Sequence, residues 1–295
     1  MTATTMPMAG TARPRTGERS PLLVLADVEA RRFAGHPLFL IAVALTVWDA
    51  YQMHGSTYGD RDDGALELSI GQGMFLGVLG LVVAYRLTRS TRRADELVRG
   101  MPADEPTRTA ALLLACLVPF AVSSLVSLQY VVLWHVEPPT WASGWSEFSS
   151  LERDAMMVAA ALSGLGGPVL GVCLGRWWRW PGAALVACVG LVAWSILALV
   201  PWQSRWGNVW HMAAPFALWD SALEDEREHG YFGGSPTWRV AYVLTLVGLA
   251  AVTAMLHGAT GRTRTRLLRA LVGLGTVAVV TLLIAALPGP TLTYV

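Results

Sequence analysis

The sequence contains no lysine and few charged residues of any kind. All 22 basic residues are arginines, and charged residues make up 15% of the 295 positions, against about 25% in a typical soluble domain. The absence of lysine excludes a P-loop lysine, a Schiff-base lysine and a Ser-Lys dyad. Any ATP that the protein uses must therefore be bound by another polypeptide. The net charge of +1 provides no basic surface for nucleic acid, and we expect no nucleic-acid partner.

Cysteine is scarce, and its positions favour packing over chemistry. Cys116, Cys173 and Cys188 each lie inside an apolar run and do not have metal-ligand spacing, which is typical of buried free cysteines. The sequence also lacks HExxH, GxSxG and CxxC motifs, which mark metalloproteases, serine hydrolases and redox or zinc sites. We therefore expect no enzymatic activity, no metal site and no cofactor in this chain.

Long apolar runs dominate what remains. Hydrophobic residues make up 54% of the chain, and the mean hydropathy is +0.46. A membrane-spanning helix needs about 20 apolar residues, and seven stretches approach that length. The sequence predicts an all-α polytopic bundle of about seven transmembrane helices. The predicted spans are residues 37–53, 69–87, 109–134, 154–175, 181–201, 239–257 and 267–287.

The distribution of arginine predicts the orientation of these spans. If the N-terminus is cytoplasmic, 17 of the 22 arginines fall in inner segments. The positive-inside rule then favours seven spans with the C-terminus outside. Tryptophans cluster at the predicted span ends, as in an interfacial belt. We expect a multi-pass protein in the plasma membrane of a bacterium.

The N-terminal region divides into a tail and a short helix. Residues 1–20 lack an apolar core and are rich in Thr, Pro, Gly and Arg, which predicts a disordered cytoplasmic tail before a single membrane-spanning domain over 21–290. A helix is predicted over 21–34, with Ser20 as N-cap, Pro21 at its first position and an Asp27–Arg31 pair. This helix is too short and too charged to span the membrane. We expect it at the inner interface, flanked by Arg31 and Arg32.

The inner loop over residues 85–110 carries six arginines and four acids. Asp95, Glu96 and Arg99 have the spacing of a short helix, which Gly100 and Pro102 would end. Two interpretations remain open. The loop is either a solvated segment that fixes topology, or a docking helix that receives force from a soluble partner.

Small residues recur in two spans at four-residue spacing, which lets another helix backbone approach closely. The pattern fits packing among the helices of one chain, and it also fits a dimer seam or a sliding face along a transport path. Pro119 and Pro168 are candidate kinks in spans three and four. The small residues are Ser163, Gly167, Gly171 and Gly175 in span four, and Gly73 and Gly77 in span two.

The outer connection over residues 202–238 carries an apolar stripe at helical spacing: Val209, Met212, Phe216, Trp219 and Leu223. The stripe predicts helical segments at the outer interface, where Phe216 and Trp219 would lie. Pro215 should kink or divide them. In the spans, Asp49 is the candidate for an ion path. Its place near the outer end of span one suggests instead that its side chain reaches the headgroup region.

Three segments together resemble the permease subunits of ATP-binding-cassette exporters of the second export type. The N-terminal stretch VEARRFAGHPLFL is similar to the amphipathic helix that leads into the first span of that family. The loop RADELVRGMPADEPTRTAALLLA is similar to the acidic, proline-containing stretch in which a short coupling helix contacts the ATPase. The long helical connection before span six is similar to the family's extracellular hairpin.

The resemblance implies a function and partners. Such a chain forms the translocation pathway with a second permease copy, identical or related, and couples to a separate ATP-binding subunit in the lipid bilayer. By resemblance the coupling residues are Asp95, Glu96, Leu97, Arg99, Met101 and Pro102. The family core usually has six spans with both termini inside, and the seventh span here departs from it. The alternative is a non-transporting structural or regulatory polytopic membrane protein.

Overall fold

The computed structural model describes residues 20–56, 71–97, 104–136, 149–198, 205–214, 220–221, 230–232, 234–287 and 292–294. This part of the chain is mainly helical and contains three very short strands, which confirms the all-α part of the predicted fold class. The elements, in chain order, are α1 Pro21–Ala34, α2 Pro37–Ser56, a π-helical segment Gly73–Leu79, α3 Gly80–Leu97, α4 Glu105–Ala115, α5 Leu117–Val136, α6 Ser150–Trp177, α7 Ala183–Ala198, α8 Arg205–Ala213, β1 Asp220–Ser221, β2 Gly230–Phe232, α9 Pro236–Leu256, α10 Gly261–Ala286 and β3 Leu292–Tyr294.

Helix α1 has the boundaries that the sequence predicts. The Ser20 side chain accepts a hydrogen bond from the Leu23 backbone N–H at 3.5 Å, and Pro21 opens the helix. Arg31 pairs with Asp27 at 2.8 Å. At Gly35 and His36 the chain turns, and α2 leaves at 64° to α1. These local predictions are confirmed because capping and i,i+4 pairing depend only on neighbouring residues.

Helix α6 is the centre of the bundle. It packs against the π-helical segment, α3, α5 and α9. Its start is fixed by a capping box, in which Ser149 and Glu152 each bind the other's backbone N–H. Because most of its small side chains are buried, neighbouring helices reach its backbone from several sides.

Each of the seven predicted apolar stretches contains a described helix, but not all of these helices are long enough to span. Four described segments meet the length and hydropathy of a membrane span: Glu105–Val132, which contains α4 and most of α5, and helices α6, α9 and α10. The bent α1–α2 pair adds a fifth if it is one broken span. Helix α7 has 16 residues, slightly below the roughly 17-residue minimum. The described part of the chain thus contains four or five helices able to cross a membrane.

Helix α3 extends further than predicted. The second predicted span ends at residue 87, whereas α3 continues to Leu97, about 15 Å more at 1.5 Å per residue. Asp95, Glu96 and Leu97 therefore form the last turn of α3, and the prediction that a separate short helix begins there is wrong. The physical reason is that no glycine or proline interrupts the chain before Gly100.

The two candidate proline kinks behave differently. Helices α4 and α5 are separated at Cys116, and the ring of Pro119 would clash with the Ala115 carbonyl in a continuous helix, which accounts for the break. Pro168 lies inside α6, which continues through it. The Cγ atom of Pro168 lies against Gly80 of α3, where an added Cβ would be only 2.8 Å away.

The outer connection is only partly helical. Helix α8 ends at Ala213, two residues before Pro215, as a helix-breaking proline requires. Strand β1 follows at Asp220–Ser221 and pairs antiparallel with β2, which also pairs with β3. The prediction of helical segments is therefore wrong at residues 220–221, whose backbone pairs with strand β2. Phe216, Trp219 and Leu223 lie outside the described residues.

Contacts between helix ends define two ends of the bundle. At one end, which we call the arginine-rich end, Arg32 of α1 bonds to Ser90 of α3. At the same end Glu105, at the start of α4, contacts Arg176 of α6 and His257 after α9. At the opposite end, the Tyr130 hydroxyl of α5 donates to the Ala50 carbonyl of α2, and Ser235 before α9 bonds to Ala285 of α10. Successive long helices therefore run between these ends in alternating directions.

Candidate functional site at the arginine-rich end

Helix α1 is fixed against the two helices that flank the inner loop. Arg32 donates to both carboxylate oxygens of Glu29, at 2.8 and 3.0 Å, and to the hydroxyl of Ser90 on α3 at 2.9 Å. Phe33 is buried in one cluster with Leu87 of α3 and Leu112 of α4. One face of α1 therefore holds the ends of α3 and α4 together, while Arg31 lies exposed with Asp27 on another face.

The predicted coupling residues lie directly beyond this contact. Asp95, Glu96 and Leu97 are in the last turn of α3, and Arg99, Met101 and Pro102 lie outside the described residues. The chain is described again from Asp104, which caps α4 by accepting from the Thr107 backbone N–H at 3.2 Å. Hydrogen bonds from Thr107 hold the pKa of Asp104 below its ordinary value. The two flanking helices thus fix both ends of the predicted coupling segment.

A buried ion cluster joins three helix ends beside this segment. Arg176, at the end of α6, is 1% exposed, and its Nη1 lies 3.5 Å from Oε1 of Glu105. The same oxygen lies 2.8 Å from Nδ1 of His257, just after α9. Trp177 donates to the Thr253 carbonyl at 2.8 Å and packs edge-on against the His257 ring. Sequence analysis did not predict this cluster because its members are far apart along the chain.

The small residues of α6 form backbone contacts with the π-helical segment and α3. A Cβ added to Gly167 would lie 2.0 Å from the Gly77 carbonyl oxygen, and one added to Gly171 would lie 2.3 Å from that of Leu81. At Gly175 the neighbour is the side chain of Thr88, 2.7 Å from an added Cβ. At these positions the neighbour is a helix of the same chain, and the backbone contact leaves no space there for a second copy.

Two other predicted packing residues, Ser163 and Gly73, are also buried. Ser163 bonds to the Ala159 carbonyl of its own helix at 3.3 Å, and Gly73 opens the π-helical segment. The face of α6 at Gly164 instead meets α5, because an added Cβ would lie 2.6 Å from Cβ of Ser123. Helix α6 is therefore approached closely from two sides.

A polar cluster lies inside the bundle between the two ends. Gln72, which precedes the π-helical segment, bonds through its side-chain amide to Ser123 and Ser127 of α5. The Asp49 carboxylate of α2 lies against Gly71, where an added Cβ would be 1.7 Å from Oδ2. Sequence analysis identified Asp49 but not Gln72. The available signal was a lone amide between two glycines in an apolar run.

The opposite end contains a buried arginine that sequence analysis did not single out. Arg239 lies within α9 and is 3% exposed. Its guanidinium donates to the carbonyls of Met212 and Ala214, both at 2.9 Å. These carbonyls end α8, where cationic groups are favoured by the helix dipole. Helix α9 begins at Pro236, three residues before Arg239.

Across the described residues, no group of three or more His, Cys, Asp or Glu side chains is placed to hold a metal ion. Comparisons of the chain with protein-family models, with curated proteins and with solved structures find no match.

Proposed function

We propose that the chain is the membrane-spanning permease subunit of an ATP-binding-cassette exporter of the second export type. In this proposal it forms the translocation pathway with a second permease chain, and a separate ATP-binding subunit supplies the energy. The seven apolar helices all cross the plasma membrane of a bacterium, with the arginine-rich end in the cytoplasm.

One observation carries this proposal. Helix α1, the end of α3 and the start of α4 form a single surface at the arginine-rich end, joined by the Arg32–Ser90 hydrogen bond and the buried Phe33. The predicted coupling residues belong to the last turn of α3 and to the chain segment that connects α3 to α4. A soluble subunit that pushed on residues 95–102 would therefore move three helices together and not a free loop.

The contacts of α6 supply a route by which such a push reaches the interior. Because Gly167, Gly171 and Gly175 touch the π-helical segment and α3 directly, α3 cannot shift along its length without displacing α6. The Glu105–Arg176 ion pair links the start of α4 to the same helix. Tightly packed helices transmit displacement because their packing deforms little.

The seven-span orientation is supported by where the helix ends meet. The described parts of the three inner segments that follow α3, α6 and α9 all lie at the arginine-rich end, as the positive-inside rule requires. Strand β3, near the C-terminus, pairs with β2 before α9 and so lies towards the opposite end. The seventh helix, α10, is largely exposed and packs mainly on α9, so it adds to the six-span core without dividing it.

Charge reversal in the coupling segment tests the proposal. The full chain and two double variants, Asp95→Arg with Glu96→Arg and the control Arg264→Glu with Arg266→Glu, are purified in mild detergent from their native membranes. Both control sites are exposed at the start of α10. We expect ATPase activity to co-purify with the natural chain and with the control but not with the coupling variant. All three chains should insert equally into the membrane. Hydrolysis retained by the coupling variant contradicts the coupling assignment. Its absence from the natural chain favours the structural or regulatory alternative.

Cysteine labelling tests the orientation separately. The three natural cysteines are buried, so introduced cysteines dominate the reaction with a membrane-impermeant maleimide. In intact cells we expect labelling of Leu151→Cys and Trp238→Cys at the opposite end. Arg179→Cys and Arg262→Cys should react only after the membrane is opened. Labelling of both pairs in intact cells contradicts the seven-span arrangement.

A further inference from the structure

A groove of about 750 Å³ lies between α7 and the continuous run of the π-helical segment and α3, and Arg86, Arg89 and Ser90 line its arginine-rich end. Its apolar walls include Val78 and Val82 on one side and Leu185 and Cys188 on the other, and Arg86, Arg89 and Ser90 lie at its mouth. From Val78 to Arg89 the wall is roughly 16 Å long at 1.5 Å per residue. The groove is thus long, apolar along its walls and cationic at one end.

The groove exists because α7 is held at few points. The Tyr85 hydroxyl donates to the Trp180 carbonyl at 2.5 Å, and the Cys188 thiol lies 3.8 Å from the Val78 carbonyl oxygen. Leu185, between these contacts, is 68% exposed. Apolar surface of this kind is normal against lipid, and a concave strip of it is suited to an acyl chain.

The two arginines at the mouth are available to an anion. Arg89 donates to the Tyr85 hydroxyl at 3.1 Å, and its guanidinium carbon lies 5.7 Å from the ring centre, which holds the charge at the groove. Among the described residues, no carboxylate forms an ion pair with Arg86 or Arg89, and the groove lining contains no acidic residue. By contrast, Arg32 nearby is paired with Glu29 at 2.8 Å.

We propose that this groove binds one anionic phospholipid from the leaflet at the arginine-rich end. Arg86 and Arg89 hold the phosphate, since guanidinium groups match phosphate oxygens in geometry and charge. One acyl chain lies along Val78, Val82, Leu185 and Cys188. A free phosphate would leave the apolar walls exposed, and a zwitterionic lipid would place a second cation near the arginines. The site is independent of the proposed export function.

Lipid binding to the full chain tests the site. The chain is exchanged into detergent with phosphatidylglycerol or phosphatidylcholine of identical acyl chains, and bound lipid is counted by native mass spectrometry. A surface arginine near anionic lipid contributes about fivefold to binding. We therefore expect a preference for phosphatidylglycerol that falls about fivefold in Arg86→Gln and about 25-fold when Arg89→Gln is added. The control pair Arg262→Gln and Arg264→Gln should keep the preference.

Two further arms separate the site from other occupants. Leu185→Trp should fill the groove and reduce bound phosphatidylglycerol without lowering the melting temperature, because Leu185 is exposed. Millimolar inorganic phosphate should not displace the lipid. Equal binding of the two lipids would overturn the proposal, and so would displacement of the lipid by phosphate alone. A change from dimer to monomer in the groove variants, with no change in bound lipid, would also overturn it.

Discussion

The buried guanidinium of Arg176 lies 3.5 Å from the Glu105 carboxylate, which joins the end of the central helix α6 to the start of α4. The same carboxylate bonds to His257 at 2.8 Å. One acidic side chain thus links three helix ends beside the predicted coupling segment.

Replacing Glu105 with Gln should destabilise the folded chain. Arg176 would remain buried with its carboxylate lost, and removing one partner of a buried pair is costly. Because Glu105 is 39% exposed, water compensates in part, and we expect a loss of about 1 to 3 kcal/mol. Thermal unfolding in detergent measures it. The exposed pair gives the control: Asp27→Asn should change stability by less than about 1 kcal/mol. Equal effects of the two changes would contradict the importance of the cluster.

Alanine at Gly167 and alanine at Gly190 should have opposite effects. An added Cβ at Gly167 would lie 2.0 Å from a backbone oxygen, whereas at Gly190 it meets nothing within 4 Å. We expect Gly167→Ala to cost about 1 to 3 kcal/mol through overpacking. Gly190→Ala should stabilise α7 by up to about 1 kcal/mol, because alanine is the better helix former. Unfolding curves of the two variants in one detergent decide this. A stable Gly167→Ala protein would show that α6 and the π-helical segment are not in backbone contact.

Loss of the Arg239 side chain should release the end of α8. Its two hydrogen bonds to carbonyls at 2.9 Å come from a charged donor, and each such bond contributes about 1.5 to 3 kcal/mol. In a Met212→Cys background, maleimide labelling reports the release, because Met212 is fully buried. We expect Arg239→Gln to raise the labelling rate about tenfold or more, and Arg262→Gln to leave it unchanged. Unchanged labelling in Arg239→Gln would mean that other contacts hold α8.

The start of α4 should loosen in acid. Hydrogen bonds from Thr107 lower the pKa of Asp104 from its ordinary value of 3.8, so the folded state favours the charged carboxylate. The resulting stabilisation is complete above pH 3.8 and is lost as the pH falls through the lower pKa of the folded state. Hydrogen exchange of the Thr107 amide, expressed as an opening free energy, should show this decline. Asp104→Asn retains a capping side chain without a titrating group, and its opening free energy should stay constant over the same range.

Local features of the fold could be predicted from the sequence, and long-range ones could not. The Ser20 cap, the Asp27–Arg31 pair and the apolar helices follow from residues a few positions apart. The predicted span ends at residue 87 because the apolar run ends there, whereas α3 continues to Leu97 because nothing in residues 88–97 breaks a helix. The Glu105–Arg176–His257 cluster and the Arg239 contacts depend on tertiary approach, which hydropathy does not encode.

The same difference applies to the candidate site. The small residues of α6 indicated a close approach, but the spacing alone did not identify Gly77 and Leu81 as the neighbours. Sequence analysis placed the arginines of α3 in an inner loop that either fixes topology or forms a docking helix. Their position beside a groove depends on the tertiary packing of α7 next to α3.

The contact of Gln72 with Ser123 and Ser127 depends on the number of residues in the π-helical segment Gly73–Leu79. A π-helix closes its hydrogen bonds over five residues instead of four, so deleting a single residue here would restore α-helical bonding. That repair would rotate every preceding position by about 100° around the axis and carry the Gln72 amide away from Ser123 and Ser127. Deleting one residue would therefore improve the local backbone but leave the Gln72 amide without its hydrogen-bond partners. This stretch should tolerate changes of residue type far better than changes of length.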